Sequence, residues 1–584
     1  MPFGCRWWVA PWLLALLALG GCAQGSFDDA GTPEQRPPTT IVDAGWLDDV
    51  ELPAPMAPLP LHRTAEVGDL ATHDVCGDCH ANIEGVPAMR DEAERPVAPD
   101  DLWRSSMMSL SARDPYWLAV LSFEREQNPE QVAAVDALCT RCHAPAAREA
   151  SDADEMPLTF ELITEDTSPL AHLARDGVTC TLCHGIDASN LGSAESFVGA
   201  FVLAPGRAMF GPHADPDAVT MTSSTGFVAT EGQHILRSAV CGTCHTVISR
   251  ALDDAGEETG PAFPEQVPYL EWRNSAFNDE VAAPGPDARS CAGCHVPTES
   301  VDGVPIATAM ASAPARIVPR MPYGRHNFRG GNAYMLEVLA EQGEWLGADV
   351  RPSALSAASA ETEENLRAAA QLTMDVTVGG EIQATVRIEN LTGHRFPTGY
   401  PSRRAFVRLT VEDATGVVLW RSGRQHARGG LTARGGDRLD YPGAWSPHFQ
   451  EITREDQVQI YQAVMADTDG APTRSLLRAS RYLKDNRILP RGWDPGHPDA
   501  SMTAPVGTDD DDDFTAGQDT VRYRFPTPPG AAVVRAELVF QAIPAPAIEH
   551  LYASPTPAIA RFDAMRRARP DRGRVVSAVE TPVE

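Results

Sequence analysis

Lysine is all but missing from this 584-residue chain; Lys484 is the one example, and the remaining basic residues are arginine. That bias reads as codon usage. Basic charge of any kind is short, with 48 Lys and Arg against 80 Asp and Glu, a formal net charge of -32. Such an excess argues against a basic patch for nucleic acid or for an anionic membrane face, and favours basic partners. Aromatics are modest at 7%. Beyond the N-terminus no stretch is apolar enough to span a bilayer. No nucleotide-binding, serine-triad or zinc-protease motif is evident, and after about residue 345 there is no cysteine at all. With 43% hydrophobic and 22% charged residues the composition is that of a folding chain. Its length exceeds one ordinary core, so two or three domains are expected.

What is present begins with a targeting segment. Residues 1–22 read MPFGCRWWVAPWLLALLALGGC. Arg6 precedes a short apolar stretch from Val9 to Leu19, and Gly20 and Gly21 precede Cys22. This is an export signal, too short and wrongly flanked for a stable membrane span. Its LGGC ending resembles a bacterial lipobox, whose cysteine is lipidated and starts the mature chain; the alternative is an ordinary cut nearby. The expectation is a signal over 1–21, lipidation at Cys22, and a Pro/Asp-rich tether over 22–62. The protein is then exported, periplasmic or an outer-membrane lipoprotein, touching membrane through the lipid anchor only. By resemblance to bacterial sorting rules, Ala23 favours the outer membrane.

Of the 12 cysteines, Cys5 and Cys22 belong to that segment. The other ten make five copies of one pattern: CGDCH (Cys76, Cys79, His80), CTRCH (Cys139, Cys142, His143), CTLCH (Cys180, Cys183, His184), CGTCH (Cys241, Cys244, His245) and CAGCH (Cys291, Cys294, His295). With 16 histidines in 584 residues, five such followers are not coincidence. Zinc needs four ligands and has no reason to place histidine directly after the second cysteine every time. A thioredoxin-like dithiol occurs once, in a βαβ pattern. Attachment of c-type haem explains each residue. Two thiols add to the two vinyl groups, and the next residue supplies its imidazole to iron. The cofactor expectation is therefore five covalent haems c, with the five motif histidines as proximal ligands. Spacing between motifs is too uneven for a simple repeat array.

Sixth ligands separate a redox relay from an open, reactive haem. His73, His172, His213, His234 and His326 lie within the motif-bearing segment and are candidates, each weighed against a surface or core histidine. The phrases DLWRSSMMSLSARDPYW, GVTCTLCHGI and RHNFRGGN resemble multihaem cytochromes c of the cytochrome c-554/c-prime-like group, over roughly residues 70 to 340. That resemblance implies an electron carrier with a mostly helical, haem-packed fold. It also implies a distal role for His326, and a distal histidine shortly after Trp103. Here Met108 stands in that place, so a His/Met haem through Met108 (or Met107) competes with plain helix packing. In the similar phrase YLEWRNSAFND the place is taken by Phe277, which cannot ligate iron, so one haem lacks a strong sixth ligand on this reading.

The second half changes character. SALSAASAETEENLRAAAQL reads as a helix or linker, and from Thr373 onward apolar and polar residues alternate between Gly-Gly and Thr-Gly turns. The expected fold class is α+β. A mainly helical or irregular pentahaem domain (63–345) leads through 346–372 to an antiparallel β-sandwich (373–584). NLTGHRFPTGYPSRRAFV resembles a β-domain associated with the same cytochromes. His394 within it is a further distal candidate, against a structural histidine in a tight turn. Asp509 to Asp513 offer carboxylates to calcium but lack the glycine and glutamate spacing of an EF-hand loop, and read first as a solvated acidic loop. The function expected is electron relay between redox partners, other cytochromes or a quinol-linked oxidoreductase, with no nucleic acid. The alternative is a haem-dependent reductase of a small nitrogen or sulfur oxyanion with one open haem. Arg403 and Arg404 would supply its charge if folded against a haem, and are otherwise a surface or structural pair.

Overall fold

The structure is a computed structural model, and it describes residues 50–253, 255–313 and 318–583. The export signal, Cys22 and the tether up to residue 49 lie outside the described residues. The rest of the expected tether, 50–62, has no helix or strand but is tied to the body. The N–H groups of Met56, Leu59 and His62 donate to the carbonyls of Pro557, Trp345 and Gly347 at 2.8, 2.9 and 2.7 Å.

The chain is α+β, with short helices and two-stranded sheets ahead of two larger sheets. Helix Pro115–Gln127 is the central one of the first half. Asp114 caps it by accepting from the Tyr116 and Trp117 N–H groups, and Pro115 starts it at the position where no N–H is needed. Leu118, Ala119, Val120, Leu121 and Phe123 are buried, because neighbours cover this helix on every side. The chain leaves the helix at Asn128 and Pro129. It then enters helix Val132–His143, which ends in the second CxxCH motif.

In the second half, helix Pro352–Arg367 occupies the segment read as helix or linker. The first strand begins at Ala370, three residues before the expected Thr373. Strands Ala370–Val378 and Glu381–Asn390 form a hairpin around Gly379 and Gly380, and Gln518–Pro526 pairs on the other side. The alternation is visible in burial, with Ile382, Ala384, Val386 and Ile388 inward and their neighbours exposed. The second sheet centres on Arg404–Asp413, flanked by Ile460–Ala466 and Ala531–Gln541. Trp420 of one sheet stacks on Phe525 of the other at 3.9 Å and 4°, so the two sheets pack face to face. The sandwich is antiparallel except for one short parallel pair, Glu451–Ile452 beside Arg522 and Tyr523.

The apolar core does not stop where the halves meet. Leu118 and Leu173 share one continuous buried cluster with Ile388 and Leu538. Two connections of the sandwich, around residues 391–403 and 486–503, lie against the motif-bearing half. Arg273 pairs with Asp499, its Nε at 2.7 Å. The Asn274 side chain donates to the Asp494 carbonyl at 3.1 Å. These loops carry sandwich residues to the site.

Candidate haem-attachment site

Each CxxCH motif lies on one helical turn. The helices are Asp74–His80, Val132–His143, Cys180–Cys183, Ser238–Gly242 and Cys291–His295. In the fourth, the turn continues past Gly242, the His245 N–H donating to the Cys241 carbonyl at 2.9 Å. Residues i, i+3 and i+4 share a helix face, so both thiols and the imidazole are presented to the same side. Side-chain caps fix two of these turns. Thr179 accepts from Leu182 N–H at 3.3 Å, and Ser290 accepts from Gly293 N–H at 3.0 Å. All ten motif cysteines are unpaired thiols.

The second feature is what holds each imidazole. The Nδ1–H of His80 donates to the Met310 carbonyl at 2.7 Å, that of His143 to Ser111 at 3.0 Å and that of His184 to Phe210 at 2.6 Å. His295 donates in the same way to Arg329. A backbone acceptor on Nδ1 fixes the tautomer and turns Nε2, with its lone pair, outward; this is the outer-shell arrangement of a metal-ligating histidine. Burial holds these imidazoles neutral, with His143 and His245 pushed down to about 4. Trp117 lies flat on the His143 ring, 4.6 Å away and 8° from parallel, which adds packing to its orientation.

Two motif imidazoles face a second imidazole. His184 and His326 are 6.2 Å apart between ring centres, and His295 and His394 are 6.4 Å apart, with interplanar angles of 23° and 14°. Imidazole nitrogen to a first-row metal is about 2 Å, which puts two ring centres on opposite sides of one ion about 6 Å apart. His326 and His394 repeat the backing seen in the motifs. Their Nδ1–H groups donate to the carbonyls of Gly324 and Arg395, each at 2.9 Å. The residues present thus fit c-type haem at motifs three and five, with imidazole on both sides. His80, His143 and His245 have no second imidazole at such a distance among the described residues.

The motifs touch one another. The Cys142 sulfur lies 4.0 Å from the Cys244 carbonyl, and the two thiols are close enough to act on each other's ionisation. Cys180 and Cys76 are likewise close enough to act on each other's ionisation, as are Cys241 and Cys291. Burial pushes the Cys183 thiol up, and Cys244 is close enough for its charge to add to the shift. Motif four therefore borders motifs two, three and five, and motif three borders motif one.

The other sequence candidates stand elsewhere. His73 belongs to a buried charge network. Its Nδ1 is 2.7 Å from Asp100, its Nε2 is 3.9 Å from Asp176, and its ring packs on His62 and Trp103. The carboxylates outweigh burial, so His73 is raised to about 9 and is a cation at neutral pH. His172 accepts from Arg175 at 3.2 Å, and its Nε2 is buried with no partner. His213 is half-buried, and burial and Arg320 lower its pKa. His234 turns Nε2 to the Ile186 carbonyl at 2.9 Å and packs edge-on against Phe210. Met108 sits three residues from Ser111, in the turn that backs His143, with its carbonyl accepting from Val178 N–H at 3.2 Å. Arg404 is structural, its Nε donating to Gln541 at 2.8 Å and its Nη2 to Asp440 at 2.6 Å. Arg403 turns the other way. It is close enough to His245 and Asp114 for its charge to lower the pKa of both, and its Nη1 donates to the Thr398 carbonyl at 2.9 Å. In the acidic run Asp509, Asp510 and Asp512 are exposed, whereas Asp511 is buried, 2.8 Å from His448 Nε2.

One set of positioning residues has no sequence signature. Glu271 Oε2 accepts from the Arg395 N–H at 3.1 Å and from the Thr398 hydroxyl at 2.5 Å. Asp485 pairs with Arg395, and takes Arg487 in a bidentate pair with both contacts at 2.8 Å. Phe277 and Trp272 close around Gly393, where an added Cβ would meet them at 3.0 and 3.1 Å. Together these groups clamp the residues on both sides of His394.

No protein-family model and no curated protein matches the sequence. The chain is similar to a solved penta-haem cytochrome c552 from Thermochromatium tepidum at 18% identity and a TM-score of 0.49, over 89% of this chain and 100% of that one.

Proposed function

We propose that this chain is an exported multihaem c-type cytochrome that relays electrons at the cell envelope, with one haem held at each of the five CxxCH motifs. The observation that carries the proposal is the common build of the motifs. In each, one helical turn presents two thiols and an imidazole to one side, and in four a backbone carbonyl holds Nδ1 so that Nε2 points outward. When bound, haem supplies one-electron chemistry whose potential follows axial ligation and burial. The protein's part is then ligand choice and order. His326 and His394 would complete motifs three and five, and the contacts between cysteines run from motif one through three to four, with two and five beside four. Motif four is the branch point. The net charge of -32 favours basic redox partners, such as another cytochrome or a quinol-linked oxidoreductase. Lipidation at Cys22 would hold the chain at the outer membrane.

A reductase of a small nitrogen or sulfur oxyanion is the second reading, favoured by one observation. No imidazole among the described residues faces His245 at the spacing of the other two pairs, and the half-buried Arg403 is close enough to act on it. Carbon monoxide separates the two. An electron relay with every sixth position filled leaves the spectrum of the reduced protein unchanged by the gas, whereas an open site at motif four gives a carbon monoxide adduct and a high-spin ferric fraction.

A further inference from the structure

Between helix Pro115–Gln127 and the sandwich lies a cavity of about 60 Å³. That is room for a few waters or one small molecular ion, and too little for a nucleotide or a peptide. Its lining is apolar in part (Val120, Phe123, Met465) and also includes Arg474, His550, Tyr116, Tyr400 and Glu124, whose carboxyl burial pushes up to about 7.

Arg474 is the unusual member. Its neighbours hold it firmly in place, because Glu124 accepts from the Ser475 hydroxyl at 2.8 Å and from the Leu476 N–H at 2.7 Å. Its guanidinium nevertheless makes no ion pair with a described residue. Asp440, the acidic group acting on it, is already taken by Arg404 at 2.6 Å and by the Leu431 N–H at 2.8 Å. The phenols of Tyr116 and Tyr400 stand close enough to Arg474 to interact with its charge, and their rings meet edge to face at 5.8 Å. His550 packs on Phe123 at 4.8 Å, and its Nε2 is buried with no hydrogen-bond partner. Arg474 is half-buried and brings a positive charge with no ion pair among the described residues, and a buried imidazole nitrogen without a partner is costly, a group that native structures satisfy. A small anion with several acceptor oxygens would satisfy them together.

We infer that this cavity binds a small inorganic oxyanion, held by Arg474 with His550 and the two tyrosines. The arrangement suits that charge. Burial and Arg474 keep His550 neutral, near 4, so its ring is free to adopt the tautomer that donates from Nε2. Burial pushes Tyr116 up to about 12, so it remains a phenol donor. A carboxylate from a bound haem is the other source of the same chemistry, and it would leave no room for an added ion. The inference does not depend on the haem assignment, because no CxxCH residue lines the cavity.

Isothermal titration of the full-length holoprotein with nitrate and with sulfate tests it. One ion of at least one kind binds per chain, and Arg474→Gln weakens that binding at least tenfold. His550→Gln is the second variant, read the same way should Arg474→Gln fail to incorporate haem. Absence of binding for both anions, as when a haem carboxylate fills the cavity, overturns the inference. So does affinity unchanged in the folded variant, which places the ion elsewhere.

Discussion

The rings of His295 and His394 face each other at 6.4 Å, nearly parallel, although one ends the last CxxCH motif and the other sits in a loop of the β-sandwich. On the proposed function the sandwich is therefore part of the redox site. His394 would supply the second imidazole at motif five, and the buried Glu271, Arg395 and Asp485 network fixes the loop that carries it.

His394→Ala removes that imidazole and leaves its neighbours in place. One of the five haems is expected to become high-spin in the ferric state and to bind carbon monoxide when reduced, the others keeping their spectra. Electron paramagnetic resonance and carbon monoxide difference spectra read this directly. An unchanged low-spin signal would mean that His394 is not a ligand.

His326→Ala makes the same change at motif three, where His326 faces His184 at 6.2 Å. Since the two pairs serve different motifs, the double variant His326→Ala/His394→Ala should show two high-spin haems, the sum of the single changes. A double variant that looks like either single one contradicts separate ligation.

Asp485→Ala leaves Arg395 and Arg487 buried without their shared carboxylate. Breaking a buried pair in this way costs about 3–5 kcal/mol, to be read from denaturant midpoints. The two guanidinium charges hold the Asp485 pKa below the usual carboxylate range against the effect of burial. Its stabilisation is thus complete above the unfolded carboxylate pKa of about 4 and fades as pH falls below that. The variant should lose this part of the acid sensitivity, and a fraction of high-spin haem should accompany the loosened His394 loop.

Lys484 is the only lysine and it is buried, its ammonium donating to the carbonyls of Ser446 and Ile460 at 2.9 and 2.8 Å. Burial lowers it from 10.5 to about 7. Between those values the unfolded chain carries a proton that the folded chain has released, so stability rises with pH, by up to about 1.4 kcal/mol per unit from this group. Lys484→Met removes that slope. Wild-type and variant stability curves that run parallel across the window count against it.

The parts of this site legible in the sequence are the local ones. Two cysteines and a histidine at i, i+3 and i+4 define a helical turn, and alternation in EIQATVRIEN defines a half-buried strand; both are readable because each depends on its own neighbours. The facing imidazoles are tertiary. His326 meets His184 and His394 meets His295 across long stretches of chain, and nothing near either histidine encodes its partner. The same holds for the carbonyls of Met310, Phe210 and Arg329, which any residue type would supply. Resemblance placed Met108 in the position of a distal histidine along the chain. The turn it occupies also provides the Ser111 carbonyl behind His143, and the direction in which a turn presents its side chains is not carried by order in the sequence. Arg403 and Arg404 look alike as a pair, yet strand geometry sends Arg404 to Asp440 and Arg403 toward His245.

The central claim, five covalent haems on five motifs, is tested most directly by intact mass of the mature protein under denaturing conditions. The expected result is the polypeptide plus five haem masses, with Cys76/Cys79, Cys139/Cys142, Cys180/Cys183, Cys241/Cys244 and Cys291/Cys294 each found on a haem-bearing peptide. Any other number of haems, or a motif whose two thiols remain free to alkylate, contradicts it.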